Sequence, residues 1–321
     1  MGLAYNRFVL HGLVSTVIPV NNRASMLREA VSSVIAQTYR PIEVVIVDDG
    51  STDNTPETIS ELAAAHVEVR AIRITNSGPG AAREAGRLIA RGDYVQYLDS
   101  DDLLLPQKFE SQVQALQKDP KRGVAYGWTK YLDSSGTEIS CTWKSANQRQ
   151  ETILPSFLVS RWWDTPTPLY RRSITDKVGP WLPIRFEEDW EYDCRVGALG
   201  VRLAHVDKFV AVVRDHPDHR LSRGETLDAN RLRDRAIAHE HIAATARRVV
   251  APEAPELQRF GRELFHLGRL CGAAGLVDES SRLVALSAEI MPRWDVSLYS
   301  NLARILGWKR VGQLAMVRER M

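Results

Sequence analysis

Cysteine is scarce in this 321-residue sequence: Cys141, Cys194 and Cys271 are an odd number, widely spaced and without a CxxC pair. That excludes a disulfide framework and a cysteine-built zinc site, and predicts reduced thiols in a cytosolic chain. Long apolar runs are missing too. None approaches the roughly 20 residues that span a bilayer, and the short apolar patch at 8–10 does not make a signal peptide of residues 1–13. The expected location is cytoplasmic. Neither charge sign is in excess: 42 basic against 40 acidic residues leave a net +2, which argues against nucleic acid as a partner. There is no internal repeat and no low-complexity tract. What is present, 44% apolar and 26% charged, suits one large soluble domain or a catalytic domain with an appendage.

The first hundred residues alternate between two periods. Residues 13–18 are apolar and β-branched, ended by Pro19. Residues 25–37 place Met26, Leu27, Ala30, Val31, Val34 and Ile35 at helical spacing behind Ser25 as the expected N-cap. Residues 42–47 are nearly all apolar, as in a strand buried on both faces of a parallel sheet. Asp48-Asp49-Gly50-Ser51 breaks that run, and 54–65 reads as a helix with Pro56 in its first turn. A strand at 67–74, a helix at 79–90 and a strand at 94–98 complete a pattern that predicts an open, mostly parallel α/β sheet.

Farther on, 123–128 reads as a strand and 131–143 as a hairpin. The segment 187–199 reads as a helix entered through acids, and 201–213 as two short strands broken at Asp207-Lys208. From about Gly224 the patterning is helical, over 227–250, 256–274, 280–290 and 296–321, with breaks at Pro252, Pro255, Gly275 and Pro292. A catalytic domain at 1–223 and a helical C-terminal region at 224–321 are expected.

In open α/β sheets ligands bind beyond the carboxyl ends of the strands. Three of the first four strand ends carry distinctive polar residues, at 19–22, 48–51 and 99–102. Asp99-Ser100-Asp101-Asp102 is the most informative: carboxylates crowded at a buried strand end repel one another and are costly to desolvate. A hard divalent cation would remove that cost, reaching the protein through one or two carboxylates plus substrate phosphates. An acidic loop capping the next helix is the plain alternative.

With those residues in hand, the sequence resembles the family 2 glycosyltransferases, which have the GT-A fold. The matching segments, in the family's order, are 17–23, 45–55, 76–83, 98–102, Glu188-Asp189-Trp190 and 214–218. The resemblance covers roughly residues 12–222 and leaves the helical tail outside. It implies an α/β, GT-A-type, mostly parallel sheet flanked by helices, and an inverting transfer of sugar from a nucleotide-diphosphate donor. UDP is the expected nucleotide, and a saccharide or lipid-linked saccharide the acceptor, in cell-surface polysaccharide biosynthesis.

The implied roles follow position by position. Asp49 or Asp48 would accept a ring N–H of the base, in a slot lined by Pro19, Val20 and Asn22. Gly78 opens a helix whose N–H groups could face an anion, and Arg83, one turn in, could reach a phosphate. No dinucleotide-binding GxGxxG is matched, because Arg83 takes the third glycine position. Asp99 would touch the ribose beside Ser100, Asp101 would coordinate Mn²⁺ or Mg²⁺ with His216 as the second ligand, and Asp102 would support the loop. Asp189 matches the general base, with Glu188 its rival. The family commonly carries an aromatic where Asn21 stands and Asn where Glu84 stands.

Other readings differ at identifiable places. Nucleotidyltransferases usually carry a glycine-rich loop after the first strand, and Pro19-Val20-Asn21-Asn22 has no glycine. Processive synthases carry Gln-x-x-Arg-Trp after the base, whereas Arg161-Trp162 precedes Asp189 and Leu158 stands where Gln would be required. A binding module that has lost catalysis would not need Asp101, Asp189 and His216 together. Trp162, Trp163 and Trp181 suit either a sugar platform or a core. In the tail, Arg304, Lys309, Arg310, Arg318 and Arg320 accompany Leu302, Ile305, Leu306, Trp308, Val311, Leu314 and Val317. That pattern fits an amphipathic helix on an anionic membrane surface, or a helix packed on its neighbours or on a second copy in a homodimer.

Overall fold

The computed structural model describes residues 9–139, 149–216 and 227–319, with side chains described as far as 316. The chain divides into two compact units. The first comprises Met1–Thr152, Trp162–Pro183 and Gly200–Asp218; the second comprises Ile153–Arg161, Ile184–Leu199 and His219–Met321. A single cut at 223/224 falls at residues outside those described. The acidic helix entrance at 187–191, placed by the sequence in the catalytic domain, groups with the tail helices.

The first unit runs β1 (Leu10–Val20), α1 (Ala24–Ile35), β2 (Ile42–Asp49), α2 (Thr55–Ala65), β3 (Val69–Ile74), α3 (Pro79–Ile89) and β4 (Gly92–Tyr97). It continues with β5 (Leu103–Leu104), α4 (Lys108–Lys118), β6 (Arg122–Leu132), β7 (Glu138–Ile139), β8 (Leu169–Arg171), α5 (Arg172–Val178) and β9 (Arg202–Arg214). The strands form one sheet in the order β3-β2-β1-β4-β8-β6-β9-β5, with β7 on β6. From β3 to β4 the pairing is parallel. Beyond β4 the sheet is mixed, because the short β8 lies antiparallel to both β4 and β6, while β9 runs parallel to β6. Two antiparallel steps restore the direction, so β1, β2, β4 and β9 all end at the same sheet edge.

Sequence chemistry explains the centre. Every residue of β2 is buried. Its one acid before the strand end, Glu43, accepts from Ser15 Oγ at 2.6 Å and from the Arg91 N–H at 2.6 Å. Helix α3 sits hard on the sheet at Gly86, where a Cβ would come within 2.3 Å of Val17 Cγ1 and 3.1 Å of Val47 Cγ2. That close approach brings the first turn of α3 to the ends of β1 and β2. Between α4 and the sheet lies a buried lysine: Lys108 Nζ donates to Gln112 Oε1 at 2.7 Å and to the Thr167 carbonyl at 2.8 Å.

Burial holds the Lys108 ammonium well below the usual lysine value of 10.5. A depressed value in the fold means that the unfolded chain binds more protons below that pH, so this contribution to stability rises with pH and is lost as pH falls. Urea unfolding from about pH 8 to 10.5 should therefore show native stability rising relative to Lys108→Met; parallel curves would remove the assignment.

Three sequence expectations are corrected here. Helix α1 begins at Ala24 with Arg23 as its cap and no side-chain cap bond, not at Ser25; the cap amide is instead held by Thr55 Oγ1 at 3.0 Å. The two strands expected at 201–213 are one continuous β9. The five residues His205–Phe209 lie opposite the three residues Tyr126–Trp128, and this bulge absorbs the polar pair Asp207-Lys208. The long last helix is two helices, parted by Gly307 at φ +91°. Tyr131 and Leu132 pair with Ile139 and Glu138 as the expected hairpin begins; the rest of it, with Cys141, lies outside the described residues.

Trp162, Trp163 and Trp181 are core residues. Trp162 packs edgewise and Trp163 at a tilt against Tyr126, and Trp181 packs edgewise against Tyr97.

The second unit holds a short 3₁₀ turn (Ser156–Leu158), α6 (Glu188–Ala198), α7 (Ala229–Ala246), α8 (Pro255–Ala273), α9 (Val277–Ile290), α10 (Trp294–Leu306) and α11 (Trp308–Glu319). Helices α8 and α9 meet through small residues: Ser280 and Ser287 hydroxyls donate to the carbonyls of Gly268 and Gly261, each at 2.7 Å. Cys194 and Cys271 are buried free thiols, as the sequence predicts, and burial pushes the Cys271 thiol up to about 12.

Candidate active site

The ends of β1 and β2 are tied together by side chains from the turns that follow them. Asn22, at φ +52°, donates its backbone N–H to Ser51 Oγ at 2.9 Å and accepts the Thr52 N–H on Oδ1 at 2.7 Å. Asparagine tolerates that left-handed backbone where most residues do not. Asn21, in the aromatic's place, donates Nδ2 to the Asp49 carbonyl at 2.7 Å and so acts as a strut. Pro19 and Val20 stand in register with Val47 and Asp48.

The two acids of β2 shape different turns. Asp48 accepts the Ser51 N–H at 2.8 Å and lies 3.3 Å from Arg73 Nη1. Asp49 accepts the backbone N–H groups of Ser77 at 2.6 Å and Gly78 at 2.9 Å, one on each carboxylate oxygen. It thereby fixes the entry to α3, where Gly78 takes φ +91°. Arg83 is not a helix-surface residue: it is buried over the Trp181 ring and donates Nη2 to Asp99 Oδ1 at 2.6 Å. Glu84 binds Arg87 through two bonds of 2.7 Å.

The end of β4 meets the end of β9. Asp101 Oδ2 accepts from Arg23 Nη1 at 2.5 Å and lies 2.9 Å from His216 Nε2. Arg214 Nε donates to the Asp101 carbonyl at 2.6 Å, and its N–H to Asp102 Oδ1 at 3.2 Å. Asp102 is thus a loop brace. Burial, then the charges of Asp101 and Asp99, push its carboxyl well above the usual carboxylate range. Ser100 is buried between these acids in sequence. The structure therefore gathers Asn22, Asp48, Asp49, Gly78, Arg83, Asp99, Asp101 and His216 at the strand ends of the first unit. Pro217, Asp218 and His219 lie outside the described residues.

Glu188 and Asp189 belong to the second unit, in the first turn of α6. Glu188 is buried, whereas 27% of the Asp189 side chain is exposed. Arg161 grips this turn, donating Nη1 to Asp189 Oδ2 at 2.6 Å and Nε to Asp193 Oδ2 at 2.8 Å. Before it, Glu187 sits at φ +62° and is held by Arg235 Nε at 2.7 Å and His239 Nδ1 at 3.0 Å. Although burial alone would raise its pKa, His239 and Arg235 hold Glu187 below the usual value.

Arg161→Met should cost on the order of 3 kcal/mol, since it strips a buried carboxylate of its guanidinium. Under the general-base role that the resemblance implies for Asp189, it should also lower turnover roughly tenfold to a hundredfold by loosening that carboxylate. Urea unfolding and steady-state rates measure the two effects, and a variant with unchanged turnover would make Arg161 a purely structural residue.

Arg161 in the second unit and Arg23 in the first are partners of candidate residues, and the sequence did not single either out. Their partners lie 28 and 78 positions away, and no local pattern links them.

A divalent cation fits the Asp101–His216 pair in a limited way. One carboxylate and one imidazole offer two donors, and such ions commonly complete their shell with phosphate oxygens and water. Among the described residues no group of three or more His, Cys, Asp and Glu side chains is placed to hold a metal.

The sheet, with carboxylates gathered at its strand ends, is an α/β fold that solved structures share. The first 349 residues of S. aureus TarS, solved with UDP-GlcNAc, superimpose with a TM-score of 0.68 over 95% of this chain and 92% of that one, at 18% identity. Mannosyltransferase PcManGT from Pyrobaculum calidifontis, solved with GDP-Man and Mn²⁺, gives 0.54 over 95% and 86% at 16% identity. At these identities the likeness establishes the fold.

The family follows from sequence. The model for Glycosyl transferase family 2 matches residues 15–179, just over half of the chain, and the chain belongs to that family. An uncharacterized glycosyltransferase of Nostoc is 35% identical over 182 residues, 54% of this chain and 55% of that protein. One from Rickettsia conorii is 38% identical over 132 residues, 41% of this chain and 22% of the relative. Chondroitin synthase of Escherichia coli is 38% identical over 128 residues, 40% and 19% of the two chains. The chain thus spans between about a fifth and just over half of these relatives' lengths.

Proposed function

We propose that this chain transfers a sugar, with inversion, from a nucleotide-diphosphate donor, UDP first among them, to a hydroxyl of a saccharide or lipid-linked saccharide in cell-surface glycan synthesis. The observation that carries the reading is the meeting of Asp101, Arg23 and His216 where β4 and β9 end, within a family 2 sequence. The acceptor oxygen attacks the anomeric carbon, the bond from that carbon to the phosphate oxygen breaks, and the electron pair leaves with the nucleoside diphosphate. Asp189 receives the hydroxyl proton, and Arg161 keeps its carboxylate oriented.

Bound Mn²⁺ or Mg²⁺, held by Asp101 and His216, would neutralise charge on the departing diphosphate. Asp48 or Asp49 would use a remaining lone pair for a base N–H, beside the wall made by Pro19, Val20 and Asn22. Arg83 would set the rotamer of Asp99 against the ribose.

The decisive experiment incubates the chain with UDP-, dTDP- and GDP-sugars, Mn²⁺ and a panel of saccharide acceptors. Release of nucleoside diphosphate with a β-linkage from an α-linked donor, seen by nuclear magnetic resonance, supports the reading. Retention of the α configuration refutes single displacement. Pyrophosphate release from a sugar-1-phosphate and a nucleoside triphosphate would make the chain a nucleotidyltransferase.

A further inference from the structure

Helix α10 has two apolar faces where folding needs one. Val296, Tyr299 and Ala303 are buried with Val284, Met291 and Val311 in a small core of the second unit. The adjoining face carries Trp294, 76% exposed, and Ile305, 79% exposed, with Leu298, Leu302 and Leu306 between 39% and 48%. At 3.6 residues per turn these five side chains span an arc of about 120° along a helix about 20 Å long. Leu314 of α11 adds a sixth exposed apolar side chain. A contiguous apolar stripe of this kind on a soluble surface marks a docking face.

Charge identifies what it fits. Arg304 borders the stripe, and Lys309 and Arg310 follow it directly in sequence; all three are exposed and make no ion pair among the described residues. Between 293 and 316 the only acid is Asp295, which is taken by Arg293 at 2.9 Å. In a two-fold contact through this face a second copy would offer these cations only its own Asp295, since the same face meets itself. An anionic lipid surface offers them opposite charge and offers the stripe a headgroup–acyl boundary, with an indole at one end as interfacial helices often have.

We propose that α10 and the start of α11 form a peripheral docking face for an anionic bilayer. The helix would lie in the plane of the interface, and no helix among the described residues is long and apolar enough to cross a membrane. The side chains of Val317, Arg318 and Arg320 lie outside those described and are not needed. This attachment is independent of the sugar-transfer chemistry.

The test uses the full 321-residue chain without donor or acceptor. Co-sedimentation is measured with vesicles of phosphatidylcholine alone and of phosphatidylcholine mixed with phosphatidylglycerol. The native chain should bind the mixed vesicles and not the neutral ones. Leu298→Asp combined with Ile305→Asp should reduce binding at least about tenfold, because both aspartates would enter the acyl boundary. Lys309→Glu combined with Arg310→Glu, or added salt, should reduce it on the order of tenfold. All changes are at exposed positions, and an unchanged melting temperature shows that the variants fold. No binding by the native chain, or equal binding by the aspartate variant, overturns the proposal. So does a native dimer in light scattering that the aspartate variant dissociates while neither binds vesicles.

Discussion

Replacing Asp189 with asparagine is expected to lower transfer by about 10²- to 10⁴-fold, the usual worth of a positioned general base. Asparagine has nearly the same shape and keeps an acceptor oxygen for Arg161, which also retains its 2.8 Å bond to Asp193. The fold should therefore survive, and the loss should appear in kcat. Nucleotide affinity should be unchanged, because the residues proposed for the donor all belong to the first unit. Calorimetry with UDP beside a turnover assay separates the two quantities. Turnover equal to that of the native chain would remove Asp189 as the base. Glu188 is a poor substitute on exposure, since it is buried at 6% while its neighbour reaches solvent.

How much of this could be read from the sequence depended on whether the determining contacts were local. The parallel half of the sheet was legible because β2 is nearly all apolar up to Val47 and the strands β1, β2 and β4 each end in a polar break that the fold places at one edge. The mixed half was not. Strands β8 and β5 are three and two residues long, too short to show a period, and the bulge in β9 mimics a strand end. The split of the tail at Gly307 is a positive-φ event hidden inside an unbroken helical pattern. The apolar residues of the tail were legible as a pattern, but only exposure shows which of those in α10 face outward.

The site was legible in part for the same reason. Strand-end acids announce themselves as interruptions of apolar runs, so Asp48, Asp49, Asp99 and Asp101 were visible as candidates, and Asp189 stood out in an acidic helix entrance. Their partners were not, because a guanidinium reaches its carboxylate across sequence separations that no motif records. Arg83 shows the consequence: one turn into α3 it reads as a phosphate ligand, yet its burial over Trp181 and its bond to Asp99 make it a support for the neighbouring acid. Asn22 and Glu187 illustrate a second limit, since a left-handed backbone at a non-glycine residue follows from the bonds on either side of it and not from the residue type.

The second large effect is expected at Asp101. In Asp101→Asn the shape is kept but the charge shared by Arg23 and His216 is lost, and the carboxylate proposed to hold the cation becomes a neutral amide. Turnover should fall about 10²- to 10³-fold, comparable to removing one preorganised electrostatic contact to a developing anion. Stability should fall by about 1–3 kcal/mol, because a largely buried guanidinium loses its charged partner. The melting-point rise that Mn²⁺ gives the native chain in the presence of UDP should vanish in the variant, a readout that does not depend on catalysis. Arg23→Gln isolates the cation's share. With the 2.5 Å arginine contact gone, Asp101 Oδ2 is shared with one cation fewer, and the Mn²⁺ concentration for half-maximal stabilisation should fall. A Mn²⁺ response in Asp101→Asn equal to that of the native chain would show that Asp101 does not hold the cation. The diphosphate charge would then have to be met by other groups at the strand ends.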